Sequence, residues 1–262
     1  MRVVEVVVLV VLVLTLGLLI TVGFEYIMPS SVVRPLAEFY LYATYNPYKL
    51  NEYTAMSPEA VTAIVWDFRG LDTLFETSVF YLALIAGLAL TRRLLSEHAE
   101  KPGYGLSLIV KTVTRITAPM IIVVGASIAL HGHLTPGGGF QGGSVIAVLP
   151  MVIIVVFSAS FLIMKGLTTS KMIVVRSLGL FGIGLTAITL FLVSLVQGTH
   201  AYVFQNMIKP DAQVSMPVDI AGALISGTLW FFNLFEMFAV AAGFSIAFIV
   251  LMLARTLQTE ER

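Results

Sequence analysis

The sequence predicts an all-α integral membrane protein that crosses the bilayer about six times. Three observations carry this. Of the 262 residues, 58% are hydrophobic and 11% charged, against about 25% charged in soluble domains, so a soluble globule of this length has too few charges to cover itself. The apolar residues gather into six runs, each near the ~20 residues that a spanning helix needs. Fifteen Lys and Arg balance 15 Asp and Glu, which leaves no basic stripe for nucleic acid. Cysteine is absent, which excludes disulfides, Cys-ligated zinc and protein-held iron–sulfur clusters in this chain.

The first span runs from about Val3 to Met28, with Glu5 near its boundary. It is too long for a signal-peptide core, and no small-residue cleavage site follows it. Residues 26–53 hold six of the nine tyrosines, Tyr26, Tyr40, Tyr42, Tyr45, Tyr48 and Tyr53. Their rings suit a membrane–water boundary, as an interfacial cuff or as a docking surface for a neighbouring subunit. Ser57-Pro58-Glu59 reads as the start of a short helix, with Ser57 as N-cap and Pro58 at the first helical position. Span two covers about Leu71–Leu90, span three Arg115–Leu130 or slightly beyond, span four Ser144–Met164 and span five Met172–Val196. The sixth lies within Ile220–Leu253, 34 residues and too long for one straight crossing. A break near Trp230–Asn233 leaves Leu234–Leu253 as the span. Gly125, Ala129, Gly179, Gly182 and Gly184 mark close helix contacts.

Charge placement orients the chain. Arg2, Arg92, Arg93, Lys101, Lys111, Arg115, Lys165, Lys171, Arg176 at a span border, Arg255 and Arg262 fall on one side, 11 of the 15 basic residues. Only Arg34, Lys49, Arg69 and Lys209 fall on the other. The positive-inside rule then puts both termini in the cytoplasm, as expected of a multi-pass protein of the cell membrane.

Ionisable groups inside a membrane cost ~2.5–3.5 kcal/mol each on insertion scales, so those that are kept need a reason. Asp72 and Glu76 are four apart and share a helix face, with Arg69 one turn earlier and Thr73 beside them. Such a pair exchanges a proton or a sodium ion at low cost. Asp67 reads as a charged cap at the membrane surface. The second cluster is the run from His131 to Gly143, where Gly137, Gly138, Gly139, Gly142 and Gly143 fall within seven residues. Non-helical backbone at membrane depth is tolerated only inside protein or beside a watery cavity, so Pro136, these glycines and Phe140 read as a broken turn after span three. The positive end of the following helix faces it. His131 and His133 point to different sides, one toward a cavity and one into packing; Gln141 is a further polar group there. Glu236 in the last span is the third candidate, set against an interfacial carboxylate bonded to Asn233.

Enzyme signatures fail here. Gly137, Gly139 and Gly142 spell G-x-G-x-x-G, but no strand precedes them and no acidic residue lies ~20 positions on. Gly143 stands where a P-loop requires lysine. His98 and His200 fall in loops, so no haem pair spans the bundle. No metal site and no bound cofactor are expected, only a transported Na+ or H+.

The unbroken run HGHLTPGGGFQGG, residues 131–143, resembles the signature of the B-type subunit of Mrp sodium/proton antiporters, a domain also found in archaeal membrane-bound hydrogenase and sulfane-reductase complexes. The resemblance extends over roughly residues 105–255 and implies four spans there. Upstream, VWDFRGLDTLFETSVF, residues 65–80, is similar to the C-terminal end of the large A-type subunit, which in the hydrogenase complexes is a separate E-type subunit. The resemblance thus divides the chain into a two-span segment, residues 1–100, and a four-span B-type domain, residues 101–262. It implies that Asp72 and Glu76 lie in or near an ion path, shaped by Pro136, Gly137, Gly138, Gly139 and Phe140. It departs at Phe75, where the family often has glycine. The implied role is a non-redox subunit that helps form the sodium path of an antiporter or antiporter-linked respiratory complex. Its implied partners are A/D-, C-, E-, F- and G-type membrane subunits and the lipid bilayer. Two other readings stand beside it: a purely architectural subunit and a self-sufficient six-helix cation transporter.

Overall fold

A computed structural model describes residues 3–27, 33–47, 53–91 and 105–260. Arg2, Tyr48, Lys49, Arg92, Arg93, His98, Lys101 and Arg262 lie outside the described residues, as do the side chains of Glu5, Tyr26 and Arg255. Two compact units make up the chain, residues 1–39 and residues 40–262.

The first unit is dominated by α1 (Val3–Ile27), which is apolar on all sides, as expected of a helix bathed in hydrocarbon. The hydroxyls of Thr15 and Thr21 bond back to the carbonyls of Val11 and Gly17, each at 2.8 Å. No hydroxyl of that pair is left to be stranded in lipid.

The second unit is a helical bundle. It contains α3 (Ala60–Thr62), a π-helical turn (Ala63–Phe68), α4 (Gly70–Leu90), α5 (Leu108–Leu130), α6 (Gly139–Val156), α7 (Ala159–Met164), α8 (Thr169–Gln197) and α9 (Thr228–Glu260), while α2 (Pro35–Thr44) leads into it. Six helices, α1, α4, α5, α6, α8 and α9, are long and apolar enough to cross a membrane. Among the described residues the only paired strands are β1 (Asp219–Ile220) and β2 (Ala223–Leu224), a small antiparallel hairpin. α9 is the central helix, half of its spanning window buried, and it packs on α8 and α6; α6 packs on α5, and α4 lies against α8 and α9. One core cluster joins Trp66, Ile183, Leu229 and Phe232 near the end where α4 and α9 begin; a second joins Ile154, Leu162 and Ile249 near the other end.

Glycine sets the helix spacing. A Cβ at Gly142 would meet the Gly125 carbonyl and lie 2.7 Å from the Ala129 Cβ, and one at Gly143 would lie 2.7 Å from the Met237 carbonyl. A Cβ at Gly179 would lie 2.7 Å from both the Phe235 carbonyl and the Ala239 amide. These glycines let α6 reach α5 and α9, and let α8 reach α9, at backbone contact. Gly184, by contrast, faces open space, so the expected close contact at that position is absent.

Five sequence expectations are corrected. The last span is not broken at Trp230–Asn233: α9 runs unbroken from Thr228. The excess apolar length before it forms the hairpin and a turn, where Ser226 and Gly227 take positive φ and the Thr228 N–H donates to Asn206 Oδ1 at 2.8 Å. Span three starts at Leu108, where Ser107 is the N-cap, and so includes Lys111 and Arg115, whose cations each sit 5.9 Å from the Phe157 ring. Span four stops at Val156, because Ser158 caps a new short helix through the Phe161 N–H at 3.1 Å. Ser57 does not cap α3: Glu59 does, its carboxylate accepting from the Thr62 N–H at 2.5 Å, which frees Ser57 for a longer-range bond. Arg176 is not a border residue but is 1% exposed inside the bundle.

The glycine spacing makes a paired prediction. Gly142→Ala should destabilise the purified protein by about 1–3 kcal/mol, the usual range for overpacking, and lower its thermal midpoint in detergent. Gly184→Ala should leave the midpoint unchanged or slightly raised. Equal midpoints for the two variants would contradict the packing read here.

Candidate functional site

The turn between α5 and α6 builds one wall of the site. α5 ends at Leu130, and the chain then turns through residues 131–138. Gly138 has φ 139°, a conformation open to glycine and costly for other residues. The turn is held from the neighbouring segment: Ser57 Oγ donates to the His133 carbonyl at 2.8 Å, Thr62 Oγ1 to the Gly132 carbonyl at 2.7 Å, and Glu59 N–H to the His133 carbonyl at 3.1 Å. Carbonyls that no helix can use are thereby satisfied.

Behind this turn lies a cavity of about 180 Å³, lined by Thr62, Val65, Trp66, Thr73, Glu76, Gly137, Gly138, Phe140, Gln141, Asn233 and Glu236, with Val61 at its edge. It is polar on several sides and takes groups from α4, α6, α9 and the π-helical turn. Glu236 is buried on α9, and the Phe140 backbone and the Trp66 side chain are close neighbours of its carboxylate. Trp66 is held flat by stacking on Phe232 at 4.5 Å. Asn233, one turn before Glu236, accepts from the Gly139 N–H at 3.3 Å through Oδ1, so it is not the partner of Glu236. Its Nδ2 is buried without a hydrogen-bond partner in the chain, and its side chain lines the cavity. An unpaired buried amide beside a polar cavity is a position for water or a ligand oxygen. Glu76 enters the same cavity from α4 and acts electrostatically on Glu236.

The cavity therefore joins Glu76, Thr73, Gln141, Glu236, Gly137, Gly138 and Phe140. It does not include Asp72, which is 54% exposed and held by Arg69 at 2.6 Å. Asp72 and Glu76 do share the outer face of α4, where a shallow groove is lined by Arg69, Asp72, Phe75, Glu76, Val79, Phe80 and Ala83. Glu76 alone of the carboxylates touches both the groove and the cavity. His131 is exposed and its ring Nδ1 pairs with the Ser127 carbonyl at 2.9 Å. His133 is buried, with Nε2 on the Leu224 carbonyl at 2.8 Å, and burial holds it below the ordinary histidine range. Neither histidine lines the cavity. Pro136 is exposed on the turn, while Gly139, Gly142 and Gly143 are buried at helix contacts.

Sequence reasoning missed the pairing of Glu76 with Glu236, because no spacing rule links positions 160 residues apart. It missed Trp66 as well. The signal that was present is Asn233 and Glu236 at i, i+3 in an apolar span. Burial also corrects the reading of Asp67. Rather than capping a surface, its side chain is 2% exposed and faces Lys209 Nζ at 3.7 Å.

The comparisons come to bear on this geometry. A family model described as a domain related to the MnhB subunit of the Na+/H+ antiporter matches residues 109–260. The chain belongs to this family. Among curated proteins, MJ1307 of Methanocaldococcus jannaschii is 26% identical over 151 residues, covering 52% of this chain and 57% of that protein. The MnhB-related chain thus spans little more than half the length of that relative. Its fold is similar to a chain of the membrane-bound sulfane sulfur reductase, an archaeal respiratory membrane complex, with TM-score 0.64 and 23% identity over 95% of this chain and 98% of that one. It is also similar to a chain of the Mrp complex from Dietzia sp. DQ12-45-1b, with TM-score 0.58 and 14% identity over 96% of this chain and 26% of that one. At these identities the likeness concerns the fold. The family match begins at residue 109, so it contains Gln141 and Glu236 but not Glu76: the cavity of this MnhB-related protein is completed by a helix outside the family domain.

Asp67 carries a prediction for the loop that holds Lys209. Burial raises the Asp67 pKa to about 6, and Lys209 only partly offsets this. The folded state then binds the proton more tightly than the unfolded chain, so the stabilisation is full below about pH 4 and is lost as pH rises through about 6. The difference is of order 3 kcal/mol. Hydrogen exchange of residues 205–212 should quicken, after correction for intrinsic rates, between these pH values. Asp67→Asn should flatten that dependence; an unchanged profile in the variant would refute the assignment.

Proposed function

We propose that this chain is a non-redox membrane subunit of a multi-subunit cation/proton antiporter, or of a respiratory complex linked to one. In this reading it helps form the path for Na+ or H+. One observation supports it above the rest: Glu76 and Glu236, from two different helices, line one small cavity with no Lys or Arg among its lining residues. Arg69, which reaches Glu76 electrostatically, is tied to Asp72 on the exposed face of α4. Carboxylates in a membrane interior are expensive, and a mobile cation relieves that cost. Gln141 and Asn233 supply neutral ligands, and the unpartnered Asn233 Nδ2 suits an accompanying water.

The outer face of α4 supports the partnership. Glu76 and Asp72 are exposed on a helix apolar enough to span a membrane, and carboxylates in such helices rarely face lipid. A neighbouring membrane subunit covers them, and residues 1–100 play the part of an E-type segment joined ahead of the MnhB-related domain. The likeness to chains of a sulfane reductase complex and of an Mrp complex favours this over a transporter that acts alone. Both termini are placed in the cytoplasm and the protein in the cell membrane. Redox chemistry, where the parent complex has any, sits on other chains.

Glu76→Gln and Glu236→Gln should each lower sodium-coupled proton transport by the parent complex about 10²-fold while the complex still assembles. Asp72→Asn should have the smaller effect, since Asp72 lies outside the cavity. The assay is sodium-dependent pH change in inverted membrane vesicles, beside mild-detergent co-purification of a tagged chain. Unchanged flux in both glutamine variants would defeat the ionic role. A tagged chain that purifies with no partner would defeat the shared-complex reading.

A further inference from the structure

Arg176 is the one arginine buried inside a spanning helix among the described residues. It stands on α8, two turns after the helix begins. Its guanidinium lies between α4 and α9. Nη1 donates to the Ala239 carbonyl at 2.5 Å and Nη2 to the Thr77 carbonyl at 3.4 Å. The cation sits 4.4 Å from the Phe80 ring and 5.5 Å from that of Tyr81. No carboxylate pairs with it in the described structure, and its Nε has no partner. Room for it is built into α9: a Cβ at Gly243 would collide with Nη1.

Its position relative to the cavity follows from the helix directions. α4 and α9 both begin at the end that carries the 131–138 turn: Gly70 packs on Phe204, whose N–H donates to the Ala187 carbonyl, and Thr228 is tied to Asn206. Higher residue numbers on either helix therefore lie deeper. Thr77 follows Glu76 directly, and Ala239 and Gly243 follow Glu236 by one and two turns. The guanidinium thus lies on the deep side of both carboxylates. Beside it the rings of Phe80, Phe140 and Phe244 meet, with centroids 5.3 Å apart for Phe80–Phe244 and 6.0 Å for Phe140–Phe244. Phe140 also lines the cavity.

We infer that Arg176 is a positively charged floor set beyond the cavity's own lining, on its deep side, which bars cations from continuing through the bundle and directs them sideways past Glu76 to the outer face of α4. The inference rests on the cavity being an ion site. A fixed charge held in a medium of low dielectric repels a mobile cation strongly, where aromatic rings alone only obstruct it. Two carbonyls and two aromatic rings hold the guanidinium in place, and no carboxylate neutralises it in the described structure. Glu76, in contact with both the cavity and the α4 groove, is the handover point.

The test measures passive sodium leak in vesicles that carry the assembled parent complex, with no pH gradient and no other driving force. Arg176→Met keeps the bulk and removes the charge, and should raise the leak roughly tenfold or more. Arg176→Lys, assayed at about pH 6 to favour its charged form, should stay as tight as the parent. A complex that assembles with Arg176→Met and remains tight would overturn the proposal and leave Arg176 as a packing residue. Phe244→Ala serves where Arg176→Met does not assemble. It thins the floor but keeps the charge, so tightness supports the electrostatic barrier and a leak refutes it. The double variant Arg176→Met with Glu236→Gln separates this idea from the one beneath it. A leak that falls back places the route through the cavity; a leak that persists refutes the cavity as the route while keeping the barrier.

Discussion

The closeness of α6 to α9 is the constraint on which the rest of the structure depends. It is made at Gly139 and Gly143, where a side chain would strike Asn233, Glu236 and Met237. Lipid offers no hydrophobic force to bring two helices together, so dispersion contacts at short range and hydrogen bonds must do so. The bond from the Gly139 N–H to Asn233 Oδ1 is one of these; the Asn233 amide nitrogen is left without a partner. The same approach brings the N-terminus of α6, whose first N–H groups no turn of the helix can satisfy, close to Glu236. The glycine run is thus a device for placing a helix N-terminus against a buried acid. It need not conduct anything itself.

A second layer keeps that device rigid. The segments 53–69, 131–138 and 198–228 close one end of the bundle with few backbone ladders of their own. They are joined by side chains that reach to backbone: Asn206 Nδ2 to the Ala55 carbonyl at 2.9 Å, Ser226 Oγ to the Met56 carbonyl at 2.6 Å, and His133 Nε2 to the Leu224 carbonyl at 2.8 Å. Each bond contributes only about 1 kcal/mol net, but leaving such a buried group unpaired costs more. Specificity follows from that asymmetry. The loop register that satisfies all of them is also the register that lays Trp66 on Phe232 and beside Glu236.

Much of this was legible in the sequence. The six spans follow from hydropathy and length, and the Gly-rich run announced the turn after span three. The helix starts were harder. Hydropathy alone cannot tell Ile220–Leu224 from a helix, because the stop is set by positive φ at Ser226 and Gly227 and by an Asn206 cap from a distant loop. Arg176 was assigned to a border by its charge, yet carbonyls and rings of other helices receive it. Asp72 and Glu76 could be placed on one face by counting, but only tertiary packing shows that Glu76 lines a cavity with Glu236 while Asp72 is held by Arg69. The sequence view was reliable for periodicity and weak wherever a polar group finds its partner on another element.

The two kinds of charge in this bundle explain one another. Carboxylates alone in a membrane interior are tolerable if a cation visits, and an arginine alone is tolerable if carbonyls and aromatic faces surround it. Had the two been adjacent they would have formed an ion pair, and neither would have been available to a mobile ion. The structure instead holds them apart: the guanidinium is received by the Ala239 and Thr77 carbonyls on the deep side of the two acids, with Phe80, Phe140 and Phe244 beside it. On the proposed reading, that separation leaves Glu76 and Glu236 open to exchange on the side toward α4 and closed on the side toward the bundle interior. The chain would then supply the acids and one wall of a path, with the opposite wall left to whatever covers the outer face of α4.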